Sequence, residues 1–344
     1  MRKLFMLSAI STALLASTSL MAQDILYVGA YGGSTESLFK EKIIPQFEKD
    51  NDVQVMYVAG NSTDTLAKLV AQKNRPEFDV ALMDDGPLAQ ANLFGLCGKL
   101  DDAPIYKDLY PLANISENTR ALGVVATGLF YNTEAFAKAG LDKPTSWEDL
   151  TKPEFKGKVI VPPVTNGYGL HTLIKFAKLR GGSEENIDPG FEAMINEVGP
   201  NVLAWEASPG KTTELFQNGD AILGVWGSGR VEALKDTGFP VEFVYPKENA
   251  LVLLTGICPV AGKGDKNPKA QAFIEYLFTP EIQALIADGQ GWGPVNKNTK
   301  LSEEVAATVP YGPEQISTLE TIDWDIVNEK RPEWTKRWNR TVER

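Results

Sequence analysis

The chain has 344 residues, with 34 basic against 45 acidic side chains and a formal net charge of −11 at pH 7. That length accommodates two domains of ordinary size, each with its own core. The acidic balance argues against a nucleic-acid partner, and a single histidine, His171, leaves no set of imidazoles to hold zinc.

Residues 1–22 read as a secretory signal. Arg2-Lys3 is a basic start, Leu4–Leu20 is mostly apolar and small, and Met21-Ala22 precede polar Gln23-Asp24. The mature chain is then expected to be soluble and periplasmic, where the only cysteines, Cys97 and Cys258, can pair. Ile25–Gly29 is a predicted strand, and Ala30–Thr35 a glycine loop. A helix follows with Phe39, Ile43 and Phe47 at four-residue spacing and a kink at Pro45. Val53–Val58 and Phe78–Met83 are further strands, each followed by a turn and a helix start. This βαβ rhythm predicts a parallel sheet covered by helices.

The rhythm changes at Leu122–Asn132, an apolar run long enough to pass from one sheet to another. Lys158–Val161 is a strand, and Thr165–Tyr168 leads into a helix. Asn218–Arg230 reads as turn, apolar strand, Trp226, the small residues Gly227-Ser228-Gly229, and a helix opening near Arg230. A second crossing is expected at Ala250–Val260, and Trp324, Trp334 and Trp338 mark a packed terminal helix. Two crossings divide the chain into a discontinuous first lobe, 23–125 plus 258–344, and an inserted second lobe, 126–257.

The chain resembles the extracellular solute-binding proteins of ABC importers, in the branch with the spermidine/putrescine-binding proteins. The likeness lies in Tyr31-Gly32-Gly33, Phe78-Asp79-Val80, Thr127–Asn132, Thr145–Leu150, Phe155–Lys158, Pro246-Lys247-Glu248 and Asn267–Pro294. It implies an α/β, two-lobed periplasmic-binding-protein-like fold of type II, with two Rossmann-like lobes joined by two crossing segments. It also implies a ligand closed between the lobes and a membrane permease as partner. The polyamine binders place a Trp and an Asp where this chain has Leu253 and Thr255, and Trp226 is followed by Gly227 where they often have Asp. Those departures argue against a polyamine.

The candidate ligand residues are Tyr31, Ser34, Thr35, Asp85, Thr165, Asn166, Trp226, Ser228, Arg230 and Thr255. Free N–H groups at helix starts favour an anion, Arg230 can clamp a carboxylate or phosphate, and Asp84-Asp85 can accept an ammonium. A zwitterion or small organic anion fits best. Structural alternatives stand beside each: Ser34, Thr35 and Thr165 as helix caps, Trp226 as core, His171 as a packing residue. A secreted hydrolase is the rival class, against which stands the absence of a Gly-x-Ser-x-Gly elbow. A sensory binding protein reporting to a receptor would share the fold. No cofactor is implied, and the protein is expected to be monomeric.

Overall fold

A computed structural model describes residues 24–343, so the expected signal segment 1–22 lies outside the described residues. Ten strands run in chain order: β1 (Asp24–Tyr31), β2 (Val53–Gly60), β3 (Val80–Asp84), β4 (Arg120–Asn132), β5 (Val159–Val161), β6 (Val202–Trp205), β7 (Leu223–Gly227), β8 (Val241–Val244), β9 (Leu251–Pro259) and β10 (Gly293–Pro294). They form one sheet in the order β2-β1-β3-β9-β4-β7-β5-β6, with β8 and β10 also on β4.

The first half follows from the βαβ pattern. β1 pairs in parallel with β2 and β3, as right-handed crossover helices require. The connecting helix is α-helical over Ser34–Leu38 and Ile44–Asn51, with a π-type segment, Phe39–Ile43, between. Pro45 has no N–H to donate into the preceding turn, and the wider segment absorbs that gap. Phe39, Ile43 and Phe47 still share one buried face.

The crossing is carried by β4. Its first half pairs with β9 and β10, its second half with β7 and β8, and the exchange of neighbours falls at Thr127. An all-buried strand accounts for the uninterrupted apolar run in the sequence. β9 runs antiparallel to both β4 and β3 and is the second crossing. On either side lie separate apolar clusters. One holds Val28, Phe47, Phe273 and Ile286, and another holds Trp147, Phe176 and Phe191. A disulfide joins Cys97 to Cys258 at the end of β9.

The terminal helix Trp324–Thr341, expected with the first lobe, buries Val327, Trp334 and Trp338 in the cluster that holds Trp147, Phe176 and Phe191. Trp338 meets Trp205 edge to face at 4.9 Å. Three apolar side chains on one helix face need a partner surface, and the inserted segment offers it.

Candidate functional site

The carboxyl ends of β1 and β3 converge on one polar cluster. Tyr31 closes β1, and its hydroxyl donates to Asp84 Oδ1 at the end of β3, at 2.8 Å. Ser62 opens the helix Ser62–Ala71, and its Oγ accepts from the Asp84 backbone N–H at 3.0 Å. Thr255 lies opposite Asp84 in the β3–β9 ladder, beside the Tyr31 phenol. Trp292, just after the left-handed Gly291, stands edge-on to the Tyr31 ring at 5.6 Å.

Tyr168 and Arg230 come from the inserted segment, each in the first turn of a helix, Gly167–Leu179 and Ser228–Lys235. The Tyr168 hydroxyl rests on Gly227, where a Cβ would lie 2.3 Å from it. Only glycine permits that approach. Arg230 lies close enough for its charge to act on both Tyr168 and Asp84. The two halves also touch directly, since a Cβ at Gly291 would lie 3.1 Å from the Gly229 Cα.

Electrostatics follow from this enclosure. Burial pushes the Asp84 carboxyl above its ordinary range, against hydrogen bonds from Tyr31 and Ser62 and the charge of Arg230. Burial, with Asp84 beside it, holds the Tyr31 phenol well above its ordinary value, so it remains a donor. Arg230 is solvent-exposed, with no carboxylate within ion-pair distance among the described residues. The cluster therefore brings together a carboxylate, a guanidinium, two phenols, two aliphatic hydroxyls and an aromatic edge.

The predicted residues divide. Tyr31, Thr255 and Arg230 join this cluster, while the others serve elsewhere. Ser34 and Thr35 donate to Gln290 Oε1, at 3.3 and 2.6 Å. Asn166 caps its helix by accepting from the Tyr168 N–H at 2.9 Å. Thr165 gives its carbonyl to Arg331 at 2.8 Å. Ser228 does not cap its helix; its Oγ accepts from Ala126 on β4 at 3.2 Å. Trp226 is 5 % exposed and packs on Phe130 at 5.3 Å in an apolar cluster. On a strand, successive side chains alternate faces, which sends this ring into the core.

Asp85 is likewise structural. It accepts from the Leu254 and Gly86 N–H groups, with the Trp324 side chain beside it. Its chain neighbour Asp84 takes the cluster position, because β3 ends there and the helix begins at Asp85. Ser62, Tyr168 and Trp292 were outside the predicted set. Their signal was a polar or aromatic residue beside glycine at a strand-to-helix or helix-to-strand corner, as in Gly291-Trp292-Gly293. His171 is wholly buried, with Nδ1 2.8 Å from Thr127 Oγ1. No group of metal-ligating side chains occurs among the described residues.

Two α/β halves joined by crossing strands, with polar groups of both brought together at the strand ends, match the architecture of binding proteins that close on a solute. The family model of bacterial extracellular solute-binding proteins matches residues 42–311, and the chain belongs to that family. It is similar to the spermidine/putrescine-binding periplasmic protein of Escherichia coli, 25% identical over 297 residues covering 82% of each chain. The γ-aminobutyric acid-binding protein of Pseudomonas aeruginosa is 24% identical over 350 residues, 97% of this chain and 95% of that one. A crystal structure of an ABC transporter protein from Clostridium perfringens superposes with a TM-score of 0.81 at 26% identity, over 92% of this chain and 99% of that one. The protein is thus the solute-binding component of an ABC importer, with a small-molecule ligand and a membrane permease as partners, and not an enzyme. No helix among the described residues is long and apolar enough to cross a membrane.

Proposed function

We propose that the gap between Asp84 and Arg230 captures a small zwitterion, its ammonium on Asp84 and its acid group on Arg230. The observation that carries this reading is that the two opposite charges come from different halves of the chain and stand beside separate phenols, Asp84 bonded by Tyr31 and Arg230 acting electrostatically on Tyr168. A ligand that satisfies both then holds the halves together, which couples binding to closure. Tyr31 and Trp292 supply the aromatic wall for the ligand's apolar part, in place of Trp226.

In this reading 23–125 plus 258 to about 320 form one lobe and 126–257 the other, with the terminal helix lying on the second. A signal segment over 1–22 directs the chain to the periplasm, where it acts as a monomer and meets its permease transiently. The name of the Pseudomonas relative fits a zwitterion. A small organic anion bound by Arg230 alone is the weaker form of the same reading. A polyamine is the second reading, favoured by the Asp84–Tyr31 pair and by the Escherichia relative. Against it stands Arg230, whose charge repels a second ammonium placed beside it.

Thermal-shift screening against γ-amino acids, α-amino acids, organic acids, sugar phosphates and polyamines tests the assignment. A bound zwitterion raises the melting temperature with its concentration. Stabilisation by putrescine or spermidine, and by nothing zwitterionic, would overturn it.

A further inference from the structure

The terminal helix touches both halves, and its contacts fall beside the groups of the gap. The segment before it crosses over by pairing Glu320 with β9: Glu320 N–H donates to Ala250 and Val252 N–H to Glu320, at 3.0 and 2.9 Å. Lys175 and Lys178 then hold the Glu320 carboxylate at 2.7 and 3.0 Å. On the first half, Trp324 covers Gly86, where a Cβ would lie 2.7 Å from the ring. Asn328 Nδ2 donates to the Gly86 carbonyl at 3.2 Å and its Oδ1 accepts from Gln90 at 3.0 Å.

Three residues on, Arg331 donates to the Thr165 carbonyl of the second half at 2.8 Å, with Asp85 of the first half in its field. Asp85 and Gly86 directly follow Asp84. Thr165 directly precedes Asn166, the cap that fixes Tyr168. Asn328 and Arg331 are less than one helical turn apart, a rise of about 4.5 Å that a helix cannot stretch.

We propose that the terminal helix is a third tether between the lobes, and that Arg331 is a positioning residue that sets the distance from Tyr168 to Asp84 before any solute arrives. This rests on the interlobe reading of the gap. Widening the gap at this flank breaks either the Arg331–Thr165 bond or the Asn328–Gly86 bond. The tether therefore biases the empty protein towards closure, and a solute needs to supply less of the ordering.

Small-angle X-ray scattering on the ligand-free full chain tests the tether without any ligand, so it stands or falls apart from the solute assignment. Arg331→Met keeps the apolar stem and removes the donor. Asn328→Ala releases the other anchor and carries the test alone if Arg331→Met does not fold. Arg337→Met is the control, since Arg337 pairs with Asp188 within the second half. The radius of gyration is expected to rise by roughly 1 Å, on a value of about 20 Å, for the two anchor variants and to stay unchanged for the control. Unchanged radii in the anchor variants, or equal expansion in all three, would overturn the proposal.

Discussion

Asp84 and Asp85 are neighbours in the chain with opposite duties. Asp84 holds its carboxylate in the polar cluster with Tyr31, whereas the Asp85 oxygens accept from Leu254 and Gly86. Asp84→Asn is therefore expected to weaken a zwitterion by roughly 2 kcal/mol or more, as is Arg230→Ala. Isothermal titration with the ligand found by screening measures both, and unchanged dissociation constants would remove these residues from the site. Two buried groups give stability a pH signature. Burial raises Asp85 to about 7 from 3.8, so the unfolded chain loses this proton first. Its contribution falls as pH climbs from about 4 to about 7 and then levels off. Burial lowers His171 to about 3 from 6.5, so it stays neutral when folded while the unfolded chain takes up a proton. Its contribution is complete above about 6.5 and is lost as pH falls towards 3. Denaturant melts across pH 4–7 should show Asp85→Asn flattening the first dependence and His171→Gln the second.

At the scale of elements, most strands and both crossings were legible because burial writes an apolar run, unbroken where both faces are covered as in Leu122–Asn132, whereas the short β6 (Val202–Trp205) and β10 (Gly293–Pro294) left no such signal. The corners were legible too, since glycine and small polar residues mark them. What sequence could not settle was where each corner side chain points. Trp226 and Arg230 lie four residues apart, yet one enters the core and the other faces solvent at the gap, a difference fixed by strand pairing with Gly128 and by the helix starting at Ser228. The tail is a different case. Its tryptophans announce a packed helix, but nothing local names the surface that receives them. Gly227→Ala tests one corner directly: the added methyl collides with the Tyr168 hydroxyl. We expect about 1–3 kcal/mol of lost stability by chemical denaturation, together with weaker ligand binding. An unaffected affinity would show that Tyr168 is not part of the site.

Across the whole molecule, the Cys97–Cys258 bond encloses 161 residues, a span that includes the entire inserted half. In the chain-entropy account, closing so long a loop stabilises the fold by roughly 3–5 kcal/mol. Replacing both cysteines with serine should lower the unfolding free energy by that order in the absence of reductant, and adding reductant to the natural protein should do the same. The same span orders events in time. The sheet of the first half lacks a middle strand, β9, until residue 259 has emerged, because β9 sits between β3 and β4. As the polypeptide emerges from its ribosome, its leading third lacks the strand that completes its sheet. Compact structure must wait for the trailing third, so the newly made chain stays pliable until most of it is present.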